Sequence, residues 1–488
     1  MTMRIRHKMK NAALAALLLG TAAGGANQAF AQSASENQAA LIEKGRMVAT
    51  GADCMACHTV PKTGKPFAGG YGIVSPLGTI FSTNITPSKT AGIGNYSEAD
   101  FSRAVRLGIR KDGAHLYPAM PYSAYAEMTD DDIRALYTYF MNSVEPVDTA
   151  PKQETALPFP FNIRLSMAGW NLLYATKHPY VEDTTKSAEI NRGAYIAGAL
   201  GHCSSCHTPR GLLMGEDGGA FLGGGFVGPW YAPNITSDPV SGIGGWSDDE
   251  LVQYFRTGHA DGKNQAAGGM AEAIQNSLQY LPESDLRSLA KYLKTVPTIR
   301  DQADAQPAHA FGSAHSDEAN IRGVYRPNEH NSLRNGEELY SGYCASCHQP
   351  DGAGSENQAY PSLFHNTATG AGKPANLVAA ILNGVERTTG EHEVLMPSFG
   401  PGSYVTPLSD KEIADISNYV LKRFGNPEAH VTMEDVAIAR SGGPVPLLAK
   451  MQPYILPAIA AAAFVVVLAG GILVSVLRRR HKTSVAIG

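Results

Sequence analysis

The chain has 488 residues, of which 43% are hydrophobic and 17% are charged, and its formal net charge is −4 at neutral pH. A chain of that length is expected to form about three domains. Because the charges nearly balance and no basic run lies within the body of the chain, nucleic-acid binding has no electrostatic support.

The amino terminus has the pattern of an export signal. Four lysines and arginines stand between residues 4 and 10, an apolar run covers residues 13–23, and Ala29-Phe30-Ala31 supplies a small-residue cleavage site. The alternative is an uncleaved membrane anchor, which is disfavoured because the run is short and rich in alanine and glycine. We expect residues 1–31 to be a signal peptide that is removed after Ala31.

One motif, C-x-x-C-H, occurs three times, at residues 54–58, 203–207 and 344–348. Two thiols at this spacing can form thioethers to a haem, and the histidine can bind its iron. A single copy would also suit a zinc half-site or a redox dithiol. Three copies that together use all six cysteines favour haem. We predict three covalently bound haem c groups, attached through Cys54, Cys57, Cys203, Cys206, Cys344 and Cys347, with His58, His207 and His348 as axial ligands.

Each motif lies in a repeated unit. A short helical run containing a glycine precedes the motif, and an amphipathic helix with a capping residue and an acidic first turn closes the unit. This order of elements resembles the class I cytochrome c fold. The predicted fold is mainly α, with three tandem class I cytochrome c-like units at residues 32–145 (unit 1), 186–297 (unit 2) and 332–425 (unit 3), and linkers at residues 146–185, 298–331 and 426–453.

Units 1 and 2 repeat each other most closely. Asn84-Ile85-Thr86 recurs as Asn234-Ile235-Thr236, and the helices that follow also correspond. Internal duplication is the simplest explanation. The triplets also match a glycosylation acceptor, but their recurrence at equivalent positions favours a structural loop.

The first linker is apolar for a free connection. It contains Leu157-Pro158-Phe159-Pro160-Phe161 and Trp170-Asn171-Leu172-Leu173-Tyr174. Our hypothesis is that this linker packs between units or against a partner.

The second axial ligand decides whether a haem carries electrons or does chemistry, because a thioether closes the iron whereas an open face admits peroxide or oxygen. A lone methionine ordinarily fills a core. Three methionines at corresponding places before the closing helices favour ligation instead: Met120, Met270 and Met396. Met128 lies too close to a closing helix and Met214 too close to a haem motif. Bis-histidine ligation is the alternative, with candidates His115, His259 and His392.

Two further features concern the surroundings of the haems. Pro209 and Pro350 lie two places after their histidines, where class I cytochromes can offer a carbonyl to the outer ring nitrogen of the ligand. The first motif departs from this pattern, with Val60 at that place. Arg210 is a candidate partner for a haem propionate and is equally well explained as a surface charge.

The carboxyl terminus has the pattern of a membrane span. Residues 454–477 carry no charge and are followed by Arg478-Arg479-Arg480-His481-Lys482. At about 1.5 Å per residue, a helix of this length covers the roughly 30 Å hydrocarbon core. Pro453 and Pro457 fall at its start, where proline is tolerated. The positive-inside rule places residues 478–488 in the cytoplasm and the haem units outside the cytoplasmic membrane.

The mature chain resembles the tri-haem cytochrome c subunits of bacterial membrane-bound, quinone-reducing dehydrogenases. The segments that carry the resemblance include Gly69-Gly70-Tyr71, Ser82-Thr83-Asn84-Ile85-Thr86-Pro87, Tyr117-Pro118-Ala119-Met120-Pro121-Tyr122, His207-Thr208-Pro209-Arg210-Gly211 and Gly269-Met270-Ala271. Residues 157–161 and Pro397-Ser398-Phe399-Gly400-Pro401 are most similar to the type whose partner is an FAD subunit, and within it to fructose dehydrogenase subunits.

This resemblance implies an electron relay. A flavoprotein catalytic subunit, joined by a small accessory subunit in a heterotrimer, oxidises a sugar, polyol or sugar acid, and electrons pass through the haems to ubiquinone. The chain has no G-x-G-x-x-G after a strand, so FAD is expected only in the partner, and no residue here is expected to be catalytic. The alternatives are the cytochrome subunit of a quinoprotein alcohol dehydrogenase, an oxidase subunit or free-standing shuttle, and a multi-haem peroxidase. Trp230 and Tyr231 could contact quinone, although ordinary packing is the better explanation.

Overall fold

The computed structural model describes residues 36–175, 178–321, 333–390 and 392–485. The predicted signal peptide, residues 1–31, and residues 322–331 of the second linker lie outside these ranges. The described part is mainly helical, as predicted. Its helices are α1 (36–51), α2 (Cys54–His58), α3 (Glu98–Leu107), α4 (Tyr122–Tyr125), α5 (Asp130–Asn142), α6 (Ser166–Tyr174), α7 (Ala188–Tyr195), α8 (Ser204–His207), α9 (Asp248–Thr257), α10 (Gly268–Asn276), α11 (Glu283–Leu293), α12 (Glu318–Ile321), α13 (Gly336–Tyr343), α14 (Ala345–His348), α15 (Thr367–Gly370), α16 (Ala375–Asn383), α17 (Asp410–Phe424), α18 (Met433–Arg440) and α19 (Leu447–Val485).

Short antiparallel hairpins interrupt the helices. They are β1 (Gly72–Ser75) with β2 (Gly78–Phe81), β3 (Gly225–Val227) with β4 (Trp230–Ala232), β5 (His259–Ala260) with β6 (Asn264–Gln265), and β7 (Val385–Thr389) with β8 (His392–Met396). The β1–β2 and β3–β4 hairpins stand at the same place in units 1 and 2, between the haem motif and the Asn-Ile-Thr triplet. This correspondence agrees with the internal duplication.

A glycine in the first helix of each unit lets that helix approach the closing helix closely. The helix pairs are α1 with α5, α7 with α11 and α13 with α17. In each pair a Cβ added to the glycine would overlap a backbone carbonyl oxygen of the closing helix; the residues are Gly45 with Ala135, Gly193 with Ser288 and Gly336 with Asp415. Any larger side chain would therefore push the two helices apart. The glycine noticed in each helical run thus has a packing role.

The closing helices begin with caps in two of the three units. The Thr129 hydroxyl accepts from the backbone N–H of Asp132 at 3.2 Å, and Ser409 forms a reciprocal capping box with Glu412. α11 departs from the predicted pattern, because Pro282 at its cap position offers no side-chain hydrogen bond.

Units 1 and 2 share one hydrophobic core, whereas unit 3 has its own. At the boundary between units 1 and 2, the Tyr195 hydroxyl donates to the Asp132 carboxylate and accepts from the backbone N–H of Thr129 at 3.2 Å. The backbone N–H of Tyr180 donates to the carbonyl of Glu127 at 2.8 Å. The first two units are therefore joined as one packed body.

Unit 3 docks on unit 2 through polar contacts. Arg387, on β7, is only 2% exposed, and its guanidinium donates to the carbonyl of Ala266 and to Oε1 of Gln265, both at 2.7 Å. The side-chain amide of Asn376 pairs with both backbone groups of Tyr231 at 2.9 Å. These contacts fix unit 3 against the segment that leads into α10 and against β4.

All three predicted linkers contain packed structure. The first holds α6, and its Leu157 is buried. The second, residues 298–331, holds α12 and the buried Asp317, whose carboxylate pairs with Arg423 of α17 at 2.8 Å. The third, residues 426–453, was expected to be a plain connection, yet it contains α18, whose Val436 is fully buried in the core of unit 3. Thr432 and Asp435 form a capping box that starts this helix. The third segment is therefore an extension of unit 3.

By length and composition, α19 is able to cross a membrane: Leu447–Val476 spans 30 residues with none of its apolar window buried. The helix begins earlier than the expected position 454, because residues 447–452 include good helix formers that extend it. Pro453 and Pro457 consequently lie inside the helix and not at its start. The finding supports membrane association.

Candidate haem sites

Each C-x-x-C-H motif forms a short helical turn, in α2, α8 and α14, and all six cysteines are free and half-buried. Burial raises the pKa of the Cys54, Cys203 and Cys344 thiols to about 12. A zinc site would need thiolates and further ligands. Within the described ranges, no three His, Cys, Asp or Glu side chains come together as a metal-binding group. The structure gives the zinc alternative no support.

The histidine of each motif is held through one ring nitrogen. Nδ1 bonds to a distant backbone carbonyl oxygen; the pairs are His58 with Thr83 at 2.7 Å, His207 with Pro233 at 2.7 Å and His348 with Pro361 at 2.9 Å. Because a carbonyl can only accept, Nδ1 carries the proton and Nε2 keeps its lone pair. Burial lowers the pKa of all three rings, which favours neutral imidazole.

The prediction that the carbonyls of Pro209 and Pro350 accept from these histidine rings is wrong. The Pro209 carbonyl accepts from the backbone N–H of Asp217 at 2.9 Å, and His348 uses Pro361 in place of Pro350. The true partners lie in irregular loops 25, 26 and 13 residues beyond the histidines. Spacing around the motif therefore could not reveal them.

The Asn-Ile-Thr triplets build the loops that supply two of these carbonyls. Oδ1 of Asn84 accepts from the backbone N–H and the hydroxyl of Thr86 at 2.9 and 2.7 Å, while its Nδ2 donates to the carbonyl of Val147 at 2.7 Å. Asn234 bonds to Thr236 in the same way, at 2.8 and 2.7 Å. Since Thr83 and Pro233 immediately precede the triplets, the asparagines position the carbonyls. The structural-loop interpretation is confirmed.

All three predicted methionine ligands line the same cavity as the motifs. They stand on different kinds of structure: Met120 in the turn before α4, Met270 in the first turn of α10 and Met396 at the end of β8. The expectation of one equivalent loop position is therefore wrong in its detail. Their shared feature is a half-buried thioether at the cavity wall.

The alternative ligands are placed less favourably. None of His115, His259 and His392 lines the cavity, and Nε2 of His259 bonds to the Asp261 carboxylate at 2.6 Å. Met214 also lies outside the lining. Met128 does line the cavity, but it is fully buried in the core and so has the ordinary packing role.

The three motifs open into one continuous cavity of about 1700 Å³. A pocket for one small ligand measures roughly 300–1,000 Å³, so this space suits several bulky cofactors. Much of its wall is apolar, with Phe101, Leu251 and Leu377 contributed by units 1, 2 and 3. Each motif supplies two free thiols and a neutral imidazole whose Nε2 makes no hydrogen bond within the described chain, and the wall of the shared cavity adds three thioethers. This donor set fits haem c.

Four polar residues of the cavity wall were not predicted from the sequence. His202 and Tyr125 stack edge to face, with ring centroids 5.6 Å apart, where units 1 and 2 meet, and burial lowers the pKa of His202 to about 4. Asp53 and Glu272 line the same region, and burial raises the pKa of both carboxyls. The signal available for His202 and Asp53 was their position directly before a motif cysteine.

Three further side chains considered in the sequence analysis already have partners within the protein. Arg210 lines the cavity, but its guanidinium already donates to the carbonyls of Ser205 and Met214. Tyr231 lies under the Lys373 ammonium, 5.0 Å from the ring centroid, at the contact with unit 3. Trp230 lies against Gly268, where a Cβ would overlap its indole. Both aromatic rings therefore have packing partners.

Comparison with known proteins supports this description. Residues 42–143 match the cytochrome c family model, and residues 331–420 match that of cytochrome c oxidase, cbb3-type, subunit III. The fructose dehydrogenase cytochrome subunit of Gluconobacter japonicus is 50% identical over 416 residues, covering 84% of this chain and 85% of that one.

Two further relatives are cytochrome c subunits of dehydrogenases. The alcohol dehydrogenase (quinone) cytochrome c subunit of Gluconobacter oxydans is 37% identical over 457 residues, 90% of each chain. The gluconate 2-dehydrogenase cytochrome c subunit of Pantoea cypripedii is 37% identical over 417 residues, 82% of this chain and 90% of that one. The predicted family is confirmed: the chain belongs to the electron-transferring cytochrome c subunits of membrane-bound dehydrogenases.

Proposed function

We propose that the chain carries three haem c groups, one in each unit, and conducts electrons from a partner subunit to the membrane. The axial pairs would be His58 with Met120, His207 with Met270, and His348 with Met396. The observation that carries the proposal is the continuous cavity whose wall includes every one of these residues and all six cysteines. Haem c bound there supplies a reversible one-electron couple at each site.

The residues of this chain have distinct tasks in such a relay. The carbonyls of Thr83, Pro233 and Pro361 fix the protonated Nδ1 of each histidine and so orient its Nε2. A methionine thioether on the opposite side would raise the potential and exclude other ligands.

Haem content and ligation test the proposal directly. A pyridine haemochrome assay should give three haems per polypeptide, and the oxidised protein should be low-spin throughout. Met120→Ala, Met270→Ala and Met396→Ala should each lower one potential and open one iron to added ligands. An unchanged set of potentials would contradict that assignment, whereas a high-spin haem in the unmodified protein would favour the peroxidase alternative.

We further propose that the electron donor is an FAD-containing catalytic subunit, accompanied by a small accessory subunit, and that the acceptor is ubiquinone. The relative named for fructose dehydrogenase is 50% identical, against 37% for those named for alcohol and gluconate, which favours fructose as the substrate. Purification from membranes, identification of the co-purified subunits and an assay against sugars, polyols and sugar acids test this. A subunit containing pyrroloquinoline quinone would instead support the alcohol dehydrogenase type, whose relative covers 90% of both chains.

An oxidase subunit is a second candidate function, because the third unit matches the cbb3-type subunit III model. That match covers only residues 331–420, whereas the dehydrogenase relatives cover more than four-fifths of the chain. Co-purification with a terminal oxidase and with no dehydrogenase would favour the oxidase function.

We also propose that α19 spans the inner membrane, with the haem units in the periplasm and residues 478–488 in the cytoplasm. The exposed apolar surface of α19 supports the span, and the export pattern of residues 1–31 together with the basic cluster at residues 478–482 supports the orientation. Deletion of the residues after Met451 should release haem-loaded protein that no longer reduces quinone. Retention of the truncated protein by the membrane would show that another anchor matters.

A further inference from the structure

We infer that the first linker forms a second membrane contact, which lies flat in the interfacial layer on the side of the haem units. We call it the linker surface and define it by its exposed apolar side chains: Leu107, Ile163, Leu165, Leu172, Leu173, Leu212 and Leu213. The inference rests on the proposed function in one respect only, namely that α19 spans the membrane.

The polarity of α6 is inverted relative to a helix that faces water. Leu172 is 79% exposed and Leu165, just before the helix, is 74% exposed. Two of its polar groups face the protein: Asn171 accepts from the Tyr122 hydroxyl at 2.7 Å, and the Trp170 indole donates to the carbonyl of Leu213 at 3.0 Å, whereas Ser166 at the start of the helix is exposed. A helix in water buries its apolar side and exposes its polar side. The outward face of α6 is therefore suited to a non-aqueous environment.

This segment also lacks charge at its surface. No Asp, Glu, Lys or Arg occurs between residues 165 and 174. The nearest one, Arg164, is turned inward, with its guanidinium 4.5 Å from the centroid of the Tyr117 ring and donating to the carbonyl of His115 at 3.0 Å. An uncharged apolar face is what burial at the boundary between headgroups and acyl chains requires.

The linker surface continues onto neighbouring parts of units 1 and 2. Nδ2 of Asn171 donates to the carbonyl of Leu107 at 3.2 Å, and Trp170 reaches Leu213, so both leucines border α6. Leu107 and Leu212 are 48% and 58% exposed. Contiguous exposed patches of this kind are uncommon on soluble proteins and mark interaction sites.

The linker surface lies close to the start of α19, which favours the membrane as the partner that covers it. Near the start of α19, Nε2 of Gln452 donates to the carbonyl of Phe159 in the linker at 2.9 Å. Just before α19, Gly443 lies against the Gly228 carbonyl at the turn of the β3–β4 hairpin, whose Phe226 is exposed. The segment leading to the linker surface and the hairpin that carries the exposed Phe226 thus both contact the chain near the start of α19. A helix held there would bury its apolar side among the headgroups without further folding.

Photo-crosslinking in lipid tests this placement with the intact complex. The complex would be reconstituted in phosphatidylcholine–phosphatidylglycerol vesicles containing a diazirine phosphatidylcholine, illuminated and digested, and lipid adducts would be located by mass spectrometry. We expect adducts on α19 and on peptides containing residues 165–174, and none on the exposed acidic start of α5. Leu172→Asp/Leu173→Asp should lose the adducts at residues 165–174 and keep those on α19.

Each outcome is decisive. Adducts on α19 without adducts at residues 165–174 would overturn the inference and leave the membrane span intact; protection of those residues by a co-purified subunit in protein cross-linking would then identify a protein occupant. Equal labelling of the double variant would also contradict an apolar contact. Absence of adducts from α19 itself would refute the proposed membrane span, a failure distinct from that of the linker surface.

Discussion

Arg387 should be the residue on which the attachment of unit 3 to unit 2 depends most strongly. Its guanidinium is almost fully buried, makes two 2.7 Å hydrogen bonds to unit 2 and has no carboxylate as an ion-pair partner within the described residues. Burial lowers the pKa of Arg387, because removing the charged guanidinium from water costs free energy. The perturbation to make is Arg387→Ala.

The expected loss of stability follows from three terms. The substitution leaves the carbonyl of Ala266 and Oε1 of Gln265 without their donors, at roughly 1–3 kcal/mol for each buried polar group. It also opens a cavity, and large-to-small changes in cores cost roughly 2–5 kcal/mol. Removal of the buried guanidinium charge also removes its desolvation penalty, which offsets several kcal/mol of this loss. We therefore expect a net loss of about 3 kcal/mol in the free energy of unfolding of the interface between units 2 and 3.

Hydrogen exchange of the whole chain is the suitable assay, because it separates the interface from each core. Exchange at Thr388 and Gly390, whose amides donate to Gln275 and Gln279, should accelerate by about a hundredfold. Glu386→Gln is the matched control, because its ion pair with Lys62 is solvent-exposed and contributes little. Equal exchange in Arg387→Ala and in the control would refute the reasoning.

Two other changes have clear expected outcomes. Alanine at Gly45, Gly193 or Gly336, where the helices cross, should lower the free energy of unfolding by about 1–3 kcal/mol through overpacking. The control is Gly169→Ala on the exposed side of α6, where a Cβ has no neighbour within 4 Å; it should be neutral or stabilising. Chemical unfolding measures both, and equal effects would contradict the packing role. His202→Gln should make the free energy of unfolding depend less on pH below about 6.5. In the unmodified protein the buried ring has a pKa near 4, against 6.5 in the unfolded chain, so the unfolded chain binds the proton first. The unmodified protein therefore loses about 3 kcal/mol of stability as the pH falls from about 6.5 to about 4. Thermal unfolding across that range measures it, and parallel profiles for the two proteins would contradict the prediction.

Local chemistry made the haem-binding turns and the closing helices predictable from the sequence. The spacing of Cys54, Cys57 and His58 is a covalent requirement of the cofactor, and the capping box at Ser409 has a short sequence signature. The core-facing periodicity of α5 and α17 likewise needs no knowledge of the rest of the chain.

Features that depend on distant partners could not be predicted in this way. The carbonyl of Thr83 reaches His58 only because a hairpin and an asparagine-built loop return the chain to the motif. The bond from Tyr195 to Asp132 joins two units without any periodic pattern that marks it. The inward-facing polar side of α6 contradicts the usual rule for helices, so the sequence indicated only that the segment was too apolar for a free linker.

The common core of units 1 and 2 constrains how the protein matures. If haem is attached as proposed, the enzyme that joins it to Cys54 or Cys203 acts on half-buried thiols beside this common core, so it has the best access before the two units have packed together. Because Tyr195 bonds to Asp132 beside the shared core, units 1 and 2 are expected to fold and unfold together. Unit 3 has a hydrophobic core of its own and can therefore fold and take up its cofactor separately.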